Sequence, residues 1–234
     1  VTAALEIADL HIRYGDGTAA VRGVSLSVPA GGRVAVIGPN GAGKTSLMLA
    51  VMNGVPFTGR IAVGGVELSS RTAADVRANC GLIFQNADEQ LFMPTLLEDV
   101  AFGPLNQGLS ANDAHTAAMA ALAEMGLEAL AHKPAHHLSG GQKRLAALAT
   151  VLAMRVQLLL LDEPGANLDY RSRRRLVSIL SARPEAMLLA THDLAMVREL
   201  CQQVVLLEDG KVVAAGPTTT ILADTELLNR HGVG

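Results

Sequence analysis

The 234-residue sequence holds only two cysteines, Cys80 and Cys201, and neither has a second cysteine at metal-ligand or redox-motif spacing. A disulfide framework is therefore excluded, and the pair reads as buried thiols in a reducing compartment. Long apolar runs are missing as well. Runs such as that around residues 156–161 fall far short of the roughly 18 residues that a membrane span needs. No basic–apolar–small leader opens the chain. Direct insertion into a membrane is not expected, and any membrane role has to come through a partner. No long block of like charge occurs, and the formal net charge is −3, which argues weakly against nucleic acid as the main partner. Internal repeats and low-complexity tracts are absent too. The opening Val1, in place of methionine, is read as a few N-terminal residues missing or processed.

What the chain does have is apolar side chains. Half of its residues are hydrophobic and 18% are charged, enough for a large core and too apolar for disorder. The length suits one α/β domain carrying a helical insert. Alternation from Leu5 to Val28, broken at Gly15, Asp16 and Gly17, predicts two antiparallel strands and a tight turn. Arg33 to Ile37 is a β-branched run leading into a glycine-rich loop. A strand pair is expected over Gly59 to Leu68 and a buried strand over Gly81 to Phe84. From Asn86 to Leu138 strand runs disappear, and the Ala-rich stretch Asn112 to Met125 has helical composition. Strands return at Val156–Leu161, Ala186–Ala190 and Val204–Leu207, separated by helical stretches. That alternation implies a mostly parallel sheet with helices on its faces. Residues 217–234 read as a short helix and a frayed end.

Gly38-Pro39-Asn40-Gly41-Ala42-Gly43-Lys44-Thr45 fits G-x-x-x-x-G-K-[ST] in full, with a strand before it and a helical run through Ser46 to Met52 after it. Glycines let the backbone wrap phosphates with inward N–H groups, and a helix N-terminus adds a favourable dipole. Lys44 is expected to neutralise β- and γ-phosphate charge, and the Thr45 hydroxyl to ligate Mg²⁺. Leu158 to Glu163 reads as an apolar strand ending in two carboxylates. Asp162 would complete the Mg²⁺ site, and Glu163 would accept a proton from the water attacking the γ-phosphate. The competing reading is an acid pair capping a helix before Pro164. Together the two motifs indicate a P-loop NTPase.

Leu138-Ser139-Gly140-Gly141-Gln142 is more specific, and with it the chain resembles the ABC ATPases, whose signature this pentapeptide is. Asp162 follows Gln142 at the family's usual spacing, and the likeness covers essentially the whole chain. The resemblance implies a RecA-like core with an antiparallel β-subdomain over residues 1–85 and 156–216. It places a helical subdomain at 86–155 and a tail at 217–234. It also implies ATP and Mg²⁺ as ligands, and a homodimer in which Ser139, Gly140, Gly141 and Gln142 cap the nucleotide held by the other copy. By the same resemblance Tyr14 stacks on adenine, and Gln85 reaches towards Mg²⁺ and water. Asp169 touches the opposing subunit, and His192 hydrogen-bonds the γ-phosphate. Ordinary packing is the alternative for Tyr14, Gln85 and His192 taken singly. Two departures stand out. Gly165 replaces the usual Ser or Thr after Asp-Glu-Pro, which loosens that turn, and Leu145 occupies a position where many relatives have arginine.

Phe84 to Leu109 (FQNADEQLFMPTLLEDVAFGPLNQGL) resembles the ATPases of energy-coupling factor transporters, especially the cobalt/nickel group. That likeness implies a membrane coupling (T-type) subunit, a substrate-binding membrane subunit, and a place at the cytoplasmic face of a bacterial or archaeal membrane. Phe92, Met93, Leu96 and Leu97 then form an apolar contact patch, unless they are buried within the insert. His132, His136 and His137 cluster before the signature, but no Asp, Glu or Cys joins them at ligand spacing, so transition-metal binding is not expected there. An importer for a vitamin, amino acid or lipid stays open as an alternative. A soluble ABC protein of DNA repair or translation is disfavoured, since no coiled-coil insert or second cassette is present. A degenerate ATPase is disfavoured because no catalytic residue is lost.

Overall fold

The computed structural model describes residues 2–233. Alternating apolar residues send one face of β1 (Leu5–Arg13) and β2 (Ala19–Val28) inward, and the two pair antiparallel across the turn at residues 14–18. β3 (Arg33–Ile37) runs into the glycine-rich loop, and α1 (Lys44–Val51) starts directly after it. β4 (Thr58–Val63) and the short β5 (Val66–Glu67) complete a four-stranded antiparallel sheet in the order β2–β1–β4–β5. A helix the sequence pattern did not announce, α2 (Ala73–Asn79), leads to β6 (Cys80–Ile83).

Strands then stop, and α3 (Leu96–Asn106), α4 (Ala111–Met125) and α5 (Gly140–Leu152) pack on one another. Their starts are written locally. Thr95 with Glu98, and Ser139 with Gln142, form reciprocal capping boxes, while Ser110 caps α4 through the Asp113 N–H. Here one expectation is corrected. Leu96 and Leu97 are buried, because the first turn of α3 faces the core, whereas Phe92 remains exposed and Phe102 and Leu105 are exposed with it.

The rest of the chain alternates. β7 (Leu158–Asp162), α6 (Tyr170–Ser181), β8 (Ala186–Ala190), α7 (Leu194–Leu200) and β9 (Gln203–Glu208) follow in turn. Beyond them lies a strand missed in the sequence, β10 (Lys211–Pro217), and then two short tail helices rather than one, α8 (Thr218–Ile221) and α9 (Thr225–Arg230). The end of the tail at residue 234, expected to fray, lies outside the described residues. The second sheet has the order β10–β9–β3–β8–β7–β6, parallel except for β10 at its edge. Its inner strands are apolar at nearly every position because both faces are covered. Ala35, Leu159, Leu161 and Leu189 pack towards the helices, while Val34, Val36, Leu160 and Leu188 pack towards α1 and the antiparallel sheet. Cys80 and Cys201 are both buried, and burial pushes each thiol up to about 12.

Asp209 and Gly210, both with positive φ, join β9 to β10. The Gly210 carbonyl accepts from the Arg22 N–H of β2 at 2.7 Å, and its own N–H donates to the Ala42 carbonyl of the glycine-rich loop at 3.2 Å.

Candidate active site

The parallel sheet brings the proposed site residues together by topology. β3, β8, β7 and β6 lie side by side and point the same way, so the loops leaving their carboxyl ends converge. Residues 38–45, His192, Asp162 and Glu163, and Gln85 lie at or just past those ends and line a cleft of about 960 Å³, with Thr191 directly before His192. Pro39, Asn40, Gly41, Ala42 and Ser46 line it too. Glycine is required at two points of the loop. A Cβ at Gly38 (φ 147°) would lie 2.1 Å from the Leu207 carbonyl oxygen, and one at Gly43 (φ 101°) 2.3 Å from that of Ala20. Gly43 is also the N-cap of α1, so no side chain bonds the free N–H groups there and the first turn carries no acid. An anion can occupy that end.

Lys44 is buried, and its Nζ donates to the carbonyls of Gly38 (2.6 Å) and Pro39 (2.9 Å). Burial lowers its pKa, and the carboxylates of Glu163 and Asp162 oppose that shift. The Thr45 hydroxyl donates to Asp162 Oδ2 at 2.6 Å. Asp162 is itself buried, which raises its pKa; the Thr45 bond and the charges of Lys44 and Arg144 pull the other way, while Glu163 adds to the rise. Gln85 is exposed and lines the same cleft.

Glu163 sits just past the end of β7 in the left-handed region (φ 46°), a costly conformation for a residue with a side chain. Its carboxylate is buried and fully engaged. Oε2 accepts from the Thr191 hydroxyl (2.9 Å), and Oε1 accepts from the His192 N–H (3.0 Å) and lies 2.9 Å from His192 Nδ1. The His192 ring is otherwise open to solvent, with 72% of the side chain exposed, so it is free to meet a ligand in the cleft. Thr191 escaped the sequence reading, and only its place next to His192 could have marked it. Its hydroxyl also accepts from the Asp193 N–H at 3.1 Å. Asp193 caps α7 and is held by a two-pronged ion pair to Arg173 (2.6 and 3.1 Å). Burial opposes ionisation of Asp193, but Arg173 and the Met196 N–H outweigh it, and the net shift is downward.

Thr191→Val keeps the shape and removes the hydroxyl, leaving Oε2 of a buried carboxylate without that donor. We expect a loss of about 1–3 kcal/mol, a drop of roughly 3–10 °C in thermal midpoint, together with slower ATP turnover. An unchanged midpoint and rate would show that the hydroxyl does not hold Glu163.

Other predicted residues lie elsewhere. Tyr14 is half-buried against the antiparallel-sheet core with its hydroxyl 2.9 Å from Ser46 Oγ, and it is not among the residues lining the cleft. Ser139, Gly140, Gly141 and Gln142 open α5 away from this cleft, as does Asp169, which caps α6 through the Ser172 N–H. Gly165 leaves room for Met196, whose Cε would lie 2.6 Å from an added Cβ, and Leu145 is buried in the core where an arginine would have to be accommodated. Gly232 and Val233 of the tail line the cleft, a placement with no local sequence signal.

The chain has relatives among known proteins. Residues 21–166 match the ABC transporter family. A Gloeobacter violaceus protein named as an ABC transporter ATP-binding protein is 48% identical over 98% of this chain and 95% of its own length. The energy-coupling factor transporter ATP-binding protein of Methanocaldococcus jannaschii is 38% identical over 97% of this chain and 83% of its own. Among solved structures, cbiO1 from Clostridium perfringens, part of the ABC transporter complex cbiONQ, superposes with a TM-score of 0.84 at 31% identity, covering 98% of this chain and 94% of that one. Likeness of this extent, in sequence and in fold, establishes that the chain belongs to the ABC transporter family as one of its ATP-hydrolysing subunits.

Proposed function

We propose that two copies of this chain close head to tail over two ATP molecules and so power an energy-coupling-factor-type importer of a transition-metal ion, cobalt or nickel. Each nucleotide lies between the phosphate loop of one copy and the signature residues Ser139–Gln142 of the other, with Asp169 at the seam and Tyr14 beside the adenine. Glu163 takes a proton from water as its oxygen attacks the γ-phosphorus and the bond to the β-phosphate oxygen breaks. Lys44 offsets charge on the phosphates, and His192 hydrogen-bonds the γ-phosphate. The oxygen donors of Thr45, Asp162 and Gln85 form a set suited to Mg²⁺. When bound, Mg²⁺ supplies charge neutralisation between the β- and γ-phosphates.

The observation that carries the importer reading is an exposed aromatic pair. Phe92, 63% exposed, meets Phe102 edge-on with centroids 5.3 Å apart, at a groove between α2, β6, α3 and α5. The groove is largely apolar and contains Asp99, buried with Oδ2 unpartnered. Such a surface suits a helix of a membrane coupling subunit. Among the described residues no helix is long and apolar enough to cross a membrane. On the likeness to transporter ATP-binding subunits, the membrane part and the cargo pocket are assigned to other subunits, and this chain to the cytoplasmic face. The names of the energy-coupling factor relative and of cbiONQ support the type of importer.

Tagged full chain, co-expressed with its membrane partners, is expected to bring down a coupling and a substrate-binding subunit and to support ATP-dependent uptake of Co²⁺ or Ni²⁺. Phe92→Glu should weaken that association by about 30-fold or more while the isolated chain keeps its ATPase. Uptake of a vitamin instead would overturn the cargo, and a chain free of membrane proteins would overturn the importer.

A further inference from the structure

Arg144, on α5 two residues past the signature, is 7% exposed. Its Nη1 donates at 2.8 Å to the carbonyl of Phe84, the residue immediately before Gln85. The N–H of the same Phe84 donates to Gln90 Oε1 (3.3 Å), and the Gln90 amide nitrogen donates to the Ala147 carbonyl (2.9 Å) and Thr150 Oγ1 (2.7 Å), both on α5. Outside this pair of links, Lys143 Nζ reaches Asp88 at 2.6 Å. Both polar groups of one backbone residue are thus tied to one helix. Burying a guanidinium costs free energy, and burial works against its charge, while Asp162 and Glu163 favour it. A carbonyl could be satisfied more cheaply by a neutral donor, so the charge brings something further: a strong, directional link in a fixed fork geometry.

We propose that Arg144 is a positioning residue that transmits the placement of the Ser139–Gly141 helix start to Gln85. From Gly140 to Arg144 is about 6 Å along one rigid helix. Docking of that start on the partner copy's nucleotide therefore moves Phe84, and with it the glutamine in the chain's own cleft. Each copy then senses, at its own nucleotide, whether it has closed on its neighbour's. The proposal rests on the reading of Gln85 and of the signature given above.

The test uses the full chain with Mg-ATP. Arg144→Met is expected to lower kcat about tenfold or more while nucleotide affinity stays within about twofold. In a Glu163→Gln background it should leave ATP-driven dimerisation intact. Added to Gln85→Ala, it should lower kcat no further, because both changes disable the same contact. Arg144→Lys should restore part of the rate. Gln90→Met, which cuts the link at the Phe84 N–H without touching the buried charge, should repeat the pattern and covers the case in which Arg144→Met fails to fold. Multiplying losses in the double variant, or affinity falling in step with kcat, would overturn the link. Gln85→Ala with full turnover would instead remove the Gln85 assignment itself, and the proposal with it.

Discussion

Glu163→Gln is expected to lower steady-state ATP turnover by about a hundredfold or more while ATP still drives dimerisation. The size follows from losing a proton acceptor, since general-base catalysis contributes roughly 10²–10⁴-fold. The retention of closure follows from geometry. Glutamine has the same shape, its carbonyl can take the place of Oε1 and accept from the His192 N–H, and its amide can donate to Thr191 Oγ1, reversing that bond. The left-handed backbone at residue 163 is unaffected, because glutamine meets the same steric conditions there as glutamate. Single-turnover phosphate release and size-exclusion chromatography with ATP separate the two effects. Turnover near the wild-type rate would sink the assignment of Glu163 as the base. Loss of dimerisation with loss of rate would point to a role in building the site.

Lys44→Ala is expected to weaken ATP binding by about 30-fold or more, with turnover abolished at concentrations that saturate the parent. Truncating one member of a buried, hydrogen-bonded charge contact costs about 2–5 kcal/mol, and each 1.4 kcal/mol is about tenfold in affinity. The ammonium waits on the carbonyls of Gly38 and Pro39, at 2.6 and 2.9 Å, so binding exchanges two neutral acceptors for charged ones. Arginine is not a conservative replacement. Its planar fork cannot act as a compact point charge between those carbonyls. Titration calorimetry of ATP into the full chain measures the effect, and an affinity within about threefold of the parent would remove Lys44 from the phosphate site.

The phosphate loop, the two carboxylates at the end of β7 and the signature were legible because each is a contiguous string. Thr191 was not, because its role arises only when the loop after β8 meets the end of β7, a long-range pairing with no local mark. Arg144 was hidden for the same reason, since Phe84 lies 60 residues earlier in the chain. Leu96 and Leu97 were misjudged because an apolar pair at a helix start fits either an exposed patch or a core, and only the packing of α3 against its neighbours decides. β10 was within reach. Asp209-Gly210 is a strong hairpin signal, but the strand after it is mostly exposed and shows no clean alternation. Ser139–Gln142 stand out as a motif in the sequence, yet the cleft they are proposed to serve lies in another copy of the chain, and they are not among the residues lining the cleft of their own.

The hairpin tip at Gly210 has a bearing on binding kinetics. By accepting from Arg22 and donating to Ala42 it clamps the glycine-rich loop between the two sheets. Glycines otherwise give such a loop wide conformational freedom, and ordering it would be charged against every binding event. Held in this way, the loop is folded before any ligand arrives, which favours an encounter limited by orientation and diffusion rather than by rearrangement.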